Sequence, residues 1–172
     1  MASAVLNAAA AAPGARLNAA QAQARLVGVQ WDASPRERGL AATGTVGNLT
    51  ATLTQRNPEN VVFVWSGIWE QKHWEVERAF QMAGATVEEM FCTQRQPQAD
   101  GGAQFYRAFR ITAPGRAPFA MVIGDLEGRY APPAPHTVHQ LIMADLSGAA
   151  PTRARFSALA PNARWQACLE DP

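Results

Sequence analysis

The chain has 172 residues, of which 48% are hydrophobic, and this is enough material for one domain with a substantial core. Its 15 basic and 14 acidic residues leave a net charge of +1, so no broad electrostatic field favours nucleic acid or a membrane surface. No run approaches the roughly 18 apolar residues that a membrane-spanning helix requires.

The N-terminal segment, residues 1–17, is rich in Ala and is broken by a Pro-Gly pair, which predicts a flexible arm in front of a single domain over 18–172. The segment lacks the basic start and strong apolar stretch of a signal peptide, so a cytoplasmic location is expected. Good helix formers over 18–25 predict a first helix, and the β-branched character of 26–31 predicts a short strand.

Two further helices are indicated before residue 60. The stretch 34–37 reads Ser-Pro-Arg-Glu, the pattern of a capping box with Pro at the first helical position. Val46, Leu49 and Leu53 recur at helical spacing and predict a helix that ends near the Asn-Pro pair at 57–58.

Residues 61–92 have the pattern of a strand, a turn, a helix and a second strand. The apolar run at 61–65 predicts a strand buried on both faces, and the Ser-Gly pair after it is placed to turn the chain and cap a helix over 68–83. Gly84 ends that helix ahead of a strand over 86–92. Two strands joined by such a helix normally pair in parallel with a right-handed crossover, so we expect a parallel β-α-β unit.

The C-terminal half predicts a hairpin followed by helices. Two strand-like runs flank a Pro-Gly turn and predict an antiparallel hairpin at 105–123. Residues 136–146 have apolar side chains at helical spacing, and a last helical segment is expected near 163–169. The whole pattern predicts an α/β fold, a single three-layer-like domain with a mixed sheet. Its strands are expected near 26–31, 61–65, 86–92, 105–112 and 118–124.

The first candidate site is the glycine turn at 43–50. Glycines ahead of a helix let backbone N–H groups approach an anion, and the helix N-terminus adds positive potential. This segment resembles the glycine loop of class I S-adenosylmethionine-dependent methyltransferases. In a second register, which excludes the first, residues 62–71 are similar to the late strand and helix of the ribosomal-protein-type methyltransferases.

The resemblance implies a cofactor role for three residues of the turn. Gly44, Gly47 and Asn48 would contact S-adenosylmethionine. No catalytic residue is carried over, because both registers lack the acidic cofactor residue and the Asn/Asp-Pro-Pro-aromatic turn of the family.

The histidines form a possible metal site. His136 and His139, with His73 or Asp145, would aim imidazoles at one ion if they lay on a helix. Helix capping or solvent exposure is the preferred interpretation, so no metal site is predicted.

Cys92, at a predicted strand end, has the position of a nucleophile with a His as its base. No flanking residue matches a Cys-hydrolase pattern, and a buried core thiol is the preferred interpretation. We expect both Cys92 and Cys168 to be reduced, as in an intracellular chain.

The helix of the β-α-β unit carries an aromatic residue on its polar side. Trp69, Val76 and Phe80 cluster within one arc at about 100° per residue, whereas Trp74 falls on the opposite side near Arg78. A large indole on a polar helix face indicates a contact surface, unless another part of the chain covers it. Trp74 and Arg78 are therefore the candidate partner-binding residues.

Two functions remain open from the sequence. The first is a non-enzymatic binding or assembly protein without a cofactor, which contacts a protein partner or a second copy through exposed aromatic and Arg side chains. The alternative is a small methyltransferase-like enzyme that uses S-adenosylmethionine at the 43–50 turn. Cofactor binding would support the enzyme, and a stable oligomer would support the assembly role.

Overall fold

The structure, a computed structural model, describes residues 1–15, 17–55, 60–68, 73–97, 103–128 and 137–168. Within these ranges the chain forms one nine-stranded antiparallel sheet with four short helices. The helices are α1 (Ala2–Ala8), α2 (Ala19–Arg25), α3 (His73–Met82) and α4 (Arg153–Leu159). The strands are β1 (Gln30–Trp31), β2 (Ala42–Val46), β3 (Leu49–Gln55), β4 (Val61–Ile68), β5 (Thr86–Cys92), β6 (Gln96–Pro97), β7 (Ala103–Thr112), β8 (Phe119–Gly128) and β9 (Thr137–Asp145).

The strands follow the order β1-β2-β3-β4-β9-β8-β7-β5 across the sheet, and β6 pairs with β7 beyond the end of β5. Two meanders, β2-β3-β4 and β7-β8-β9, account for the middle of the sheet. β9 joins them by pairing with β4, from Val62↔Asp145 to Ile68↔His139. The last of these strands in the chain therefore lies at the centre of the sheet.

The predicted α/β fold is wrong, although the strand, helix and second strand of residues 61–92 are all present. Four successive antiparallel pairings make β4 and β5 run in the same direction. They are not neighbours, because β9, β8 and β7 lie between them and β5 pairs with β7. The expected mixed sheet with a parallel pair is replaced by an antiparallel sheet, and α3 is the long crossover between its two halves.

Ser66 and Gly67 extend β4 and do not turn the chain or cap a helix. β4 continues to Ile68, and α3 begins at His73. A Cβ on Gly67 would meet Leu49 Cδ2 at 2.6 Å. Gly67 therefore leaves space for an apolar side chain of the neighbouring strand.

The sheet buries both of its faces. Face A is the side covered by α1, α2 and α3, and face B is the side on which α4 and residues 160–165 pack. Side chains alternate between the faces along a strand, so a central strand contributes to both cores. In β9, Ile142 and Ala144 lie in the face A core, while Leu141 and Met143 pack on face B. The large, fully buried side chains of face A include Leu53, Phe63, Trp65, Phe80, Phe109, Ile111, Phe119, Met121 and Ile142.

The hairpin predicted at 105–123 is confirmed. β7 and β8 pair antiparallel through Ile111↔Phe119, on either side of a turn that contains Gly115 at φ +68°. Strands are also present at the other positions where the sequence predicts them, although β1 covers only Gln30–Trp31. Alternation of side chains and a Pro-Gly turn are local signals, so this part of the fold can be read from the sequence.

Two of the predicted helices are strands. The helix predicted over 46–57 is β3, in which Ala51 and Leu53 are buried and the Thr side chains that alternate with them are not. The helix predicted over 136–146 is β9, and His136 lies outside the described residues. A strand buried on both faces has apolar residues at successive positions, and such a run also matches a helical spacing.

The other two expected helices are extended or irregular segments. In the 34–37 stretch, the backbone N–H of Arg36 donates to Thr43 Oγ1 at 3.0 Å, and the Arg36 side chain pairs with Asp32 at 2.8 Å. These bonds hold the stretch as a loop against β2. Residues 163–168 contain no helix, and Gln166 forms an antiparallel bridge with Cys92 at the outer edge of β5.

The Ala-rich N-terminus packs into the domain. Residues 2–8 form α1, and Val5 and Ala8 are fully buried. The segment after it is tied down by backbone hydrogen bonds, from Ala10 N–H to Leu146 O at 3.0 Å and from Ala117 N–H to Ala10 O at 2.9 Å. Small side chains let these segments approach one another closely, so the alanines form part of the core and not the expected flexible arm.

A buried polar network joins α4 to the centre of the sheet. Asp145, at the end of β9, is completely buried, and it accepts hydrogen bonds from Arg155 Nε of α4 and from the backbone N–H of Ser147, the latter at 3.0 Å. Ser147 Oγ donates to the same carboxylate at 2.6 Å, and Arg155 Nη2 donates to Asn60 Oδ1 at 3.0 Å. The partly exposed guanidinium of Arg155 supplies the counter-charge that a buried carboxylate requires.

Gly44→Ala should destabilise the protein, because a Cβ at this position would lie 2.4 Å from the backbone oxygen of Gln30 and push β1 off the sheet. We expect the free energy of unfolding in urea to fall by about 1–3 kcal/mol. Thr45→Ala, which changes the next residue of the same strand, is the matched control and should cost about 0.5 kcal/mol. Equal stability of the two variants would mean that β1 does not pair with β2 in this register.

Candidate functional site

The glycine turn at 43–50 is a β-hairpin, and no helix follows it. Gly44 lies inside β2, and Gly47 and Asn48 form the two-residue loop between β2 and β3. Gly47 has φ +57°, which a first loop position of a type II′ hairpin turn requires. The glycines therefore serve strand packing and the turn, and the helix N-terminus on which the cofactor interpretation depended is not present.

The methyltransferase resemblance is overturned by the same topology. That family has a largely parallel sheet with helices between its strands, whereas every strand pairing described here is antiparallel. The second register fails as well, because the Ser-Gly pair at 66–67 continues a strand.

The histidines considered as metal ligands are not brought together on a helix. His139 is exposed on β9, and Asp145 is engaged by Arg155. Among the described residues, Glu89, Cys92 and Cys168 do place three possible ligand atoms within 4.8 Å of one another. The two sulfurs are bonded to each other, so this group offers an ion only the Glu89 carboxylate.

Cys92 and Cys168 form a disulfide, and the prediction of two free thiols is wrong. Their sulfurs are at bonding distance and their Cα atoms are 5.0 Å apart, across 76 residues of sequence. The bridge fastens the C-terminal segment to the outer edge of the sheet, next to the Gln166–Cys92 backbone pairing. Persistent disulfides are typical of oxidising compartments, so the expectation of a cytoplasmic location loses the support that free thiols would have given it.

A β-bulge brings the disulfide to its place. The register of β5 against β7 shifts between Glu89 and Phe91, so that Met90 and Phe91 both pack on face B. The extra residue restores Cys92 to face A, opposite Arg107 and on the same side as Glu89. Glu89 Oε1 is 3.3 Å from Cys92 Sγ. The sulfur of Cys92 is held in the disulfide, so it is not available as a nucleophile.

Removing the disulfide should destabilise the fold without changing it. The double variant Cys92→Ala/Cys168→Ala is expected to lose about 2–4 kcal/mol in the free energy of unfolding, because the bridge closes a long loop in the unfolded chain. Mass spectrometry of a non-reduced proteolytic digest should show the two cysteine peptides joined. Separate peptides with free thiols in the native protein, and unchanged stability of the double variant, would contradict the described bridge.

Helix α3 has a buried side and an exposed side. Val76 and Phe80 are buried in the face A core, as the sequence predicts. Trp74 is 52% exposed and Met82 is 80% exposed, with the exposed Arg78 between them. Their i, i+4, i+8 spacing places the three side chains in one row along the helix, which we call the α3 ridge.

The side of α3 that faces β5 carries a charged cluster. His73 Nε2 is 3.9 Å from Glu77 Oε1 within the helix, and Arg107 Nη1 donates to Glu89 Oε1 at 2.7 Å across β5 and β7. Burial raises the pKa of Glu77, and the nearby Glu89 charge raises it further, while Arg107 acts in the opposite direction. The cluster brings acid, base and guanidinium groups together on the side of α3 that faces β5.

Glu77→Gln should make stability less sensitive to pH. The folded protein holds the Glu77 proton to higher pH than the unfolded chain does, so ionisation of Glu77 costs stability as pH rises above its ordinary pKa of 4.5. The unfolding free energy of the variant should therefore rise relative to that of the wild type between about pH 4 and about pH 7. His73, Glu89 and Arg107 stay in both proteins, so the difference reports Glu77 together with its coupling to these neighbours. A pH-independent difference would contradict the raised pKa.

A polar groove lies at the outer edge of the sheet beside the disulfide. Its larger lobe has a volume of about 510 Å³ and lies between the 94–97 segment and the C-terminal segment. A smaller lobe of about 230 Å³ extends under it towards Arg107. The two lobes share residues 94, 95 and 166, and we call them together the arginine groove. Its lining residues are Cys92, Thr93, Gln94, Arg95, Gln96, Pro97, Phe105, Arg107, Asn162, Arg164 and Gln166.

Sequence reasoning identified one of these two surfaces and missed the other. The exposure of Trp74 follows from the angular pattern of a single helix. The arginine groove joins residues 94–97 to residues 162–166, which are distant in sequence, and its local signal is the Gln-Arg-Gln run at 94–96.

No helix among the described residues is long and apolar enough to cross a membrane. Comparisons with protein-family models, with curated proteins and with solved structures find no match for this chain.

Proposed function

We propose that this protein is a non-enzymatic binding or assembly protein, which contacts a protein partner through the α3 ridge of Trp74, Arg78 and Met82. The observation that carries the proposal is the exposure of two large apolar side chains on one helix face, 52% for Trp74 and 80% for Met82. Trp and Arg are the residue types most often found at the energetic centres of interfaces.

The contacts of α3 with the core are made from the side of the helix opposite the ridge. The face A core already takes Val76 and Phe80 from α3, together with the partly buried Ala83. The ridge projects from the opposite side of the helix, so its apolar area is available to another molecule. If this side of the helix faced only solvent, polar side chains at 74 and 82 would make the protein more soluble than Trp and Met do.

The side chains of the ridge indicate which groups the partner surface should offer. An indole and a thioether flank one guanidinium, so the complementary surface offers an apolar cleft with a carboxylate near its middle. Methionine adapts its shape to irregular clefts, which suits a helix that lies on a partner groove. A second copy of the chain and a different protein are both compatible with this chemistry.

Trp74→Ala should weaken association while leaving stability unchanged within about 0.5 kcal/mol. Phe80→Ala, on the buried side of the same helix, is the matched control and should cost about 3–5 kcal/mol in the free energy of unfolding. Sedimentation equilibrium measures self-association, and thermal unfolding measures stability, on the same samples. A loss of several kcal/mol for Trp74→Ala, with unchanged association, would mean that the indole is covered by the chain itself.

A photo-crosslinking residue distinguishes a foreign partner from a second copy. Placed at Gln81, which is exposed beside the ridge, it should capture one discrete protein in the native host, and Trp74→Ala in the same chain should abolish that product. The same residue at the exposed Ala24 of α2 is the control and should not give this product. Products that are identical from both positions, or that survive Trp74→Ala, would contradict the proposal.

A further inference from the structure

The arginine groove has the composition of a ligand site for a hydrophilic anion. Three guanidinium groups line it, from Arg95, Arg107 and Arg164, and none of its described lining residues is acidic. Arg107 pairs with Glu89 beside the groove and lies 4.9 Å over the ring of Phe105, which fixes its plane. Arg107 Nε is buried without a hydrogen-bond partner among the described residues. Guanidinium groups in such an arrangement recognise carboxylate or phosphate oxygens.

The remaining groove residues favour a ligand with hydroxyl groups. Gln94, Gln96, Gln166 and Asn162 each carry a carboxamide, which both donates and accepts hydrogen bonds. A phosphate ion offers mainly acceptor oxygens, so it would make little use of the carboxamide oxygens of Gln94, Gln166 and Asn162. A ligand that combines carboxylates with hydroxyls matches both the guanidinium and the carboxamide groups. Among the described lining residues of the larger lobe only Pro97 is of an apolar type, so this lobe offers no aromatic ring on which a nucleobase could stack.

The edge of the sheet at the groove is not open to an extended peptide. The backbone N–H and C=O of Cys92 are both bonded to Gln166, at 3.0 and 2.9 Å, and Pro97 has no N–H to donate. Addition of a peptide strand requires a row of free backbone groups at the edge. Side-chain recognition of a sugar does not require such a row.

We propose that the arginine groove binds an acidic oligosaccharide, a chain of sugars that carry carboxylates. The carboxylates pair with the guanidinium groups of Arg95, Arg107 and Arg164, and the ring hydroxyls exchange hydrogen bonds with the carboxamides. The total groove volume is in the range of small-ligand sites. The disulfide at its base is consistent with a protein that meets such glycans in an oxidising compartment. The proposal is independent of the α3 ridge and of its partner.

Calorimetric titration of the full-length chain with a galacturonic acid trimer tests the proposal. Binding should be detectable, should weaken as salt is raised, and should exceed that of the neutral galactose trimer. Arg95→Gln and Arg164→Gln should each weaken it about tenfold, because each removes a charged hydrogen-bond donor. Arg38→Gln is the matched control, since this exposed residue precedes β2 near the opposite edge of the sheet, and it should leave binding unchanged.

Competing ligands give the outcomes that overturn the proposal. Tripolyphosphate tests for a general phosphate site, and a triglutamate peptide tests for an acidic peptide site. Tighter binding of either one than of the uronic acid trimer would refute the acidic-sugar assignment. Equal binding of the neutral trimer, equal effects of all three Arg variants, or no heat with any sugar at millimolar concentration would also refute it. Thermal unfolding of each variant verifies that the fold is retained.

Discussion

The structure depends on one buried charge at the centre of the sheet. Asp145 ends the central strand β9, is completely buried, and pairs with the partly exposed Arg155 of α4. A buried carboxylate without its partner would cost several kcal/mol, so α4 must dock where Arg155 can reach it. Docking of α4 brings Phe156 onto face B and directs the following segment, through the buried Trp165, towards β5. The arginine groove is therefore built from a segment whose path starts at this ion pair.

A second constraint acts at the other end of that path. Without the bulge in β5, the strict alternation of a strand would place Cys92 on face B and away from Glu89 and Arg107. Because the bulge is present, one corner of the molecule holds the disulfide, the charged cluster under α3 and the smaller lobe of the groove. The C-terminal segment is then held by a covalent bond, by the backbone pairing of Gln166 and by the packing of Trp165. Such multiple anchoring would keep the proposed ligand site in shape before a ligand binds.

What the sequence predicts correctly in this chain is local. The β7–β8 hairpin and the two sides of α3 follow from spacing within a few residues, because turn chemistry and helical periodicity act over that distance. The strand order does not follow from such local spacing. β9 lies between β4 and β8 because it pairs with segments that are distant in sequence. Leu49 and Leu53 of β3 satisfied a helical spacing, yet the alternation of Thr around Ala51 was the better guide. The disulfide and the groove were missed for the same reason, because each is formed by segments about seventy residues apart.

The two surfaces differ in the physical force that each offers to a ligand. At the α3 ridge, binding would come mainly from burial of Trp74 and Met82, and apolar burial is insensitive to moderate salt. In the arginine groove it would come from charged hydrogen bonds at a partly exposed site, which salt screens. A molecule that occupied both surfaces would lose only part of its affinity as ionic strength rises, and the part retained would disappear with Trp74. Binding at the α3 ridge, where Arg78 supplies the one charged contact, should therefore depend less on salt than binding in the arginine groove.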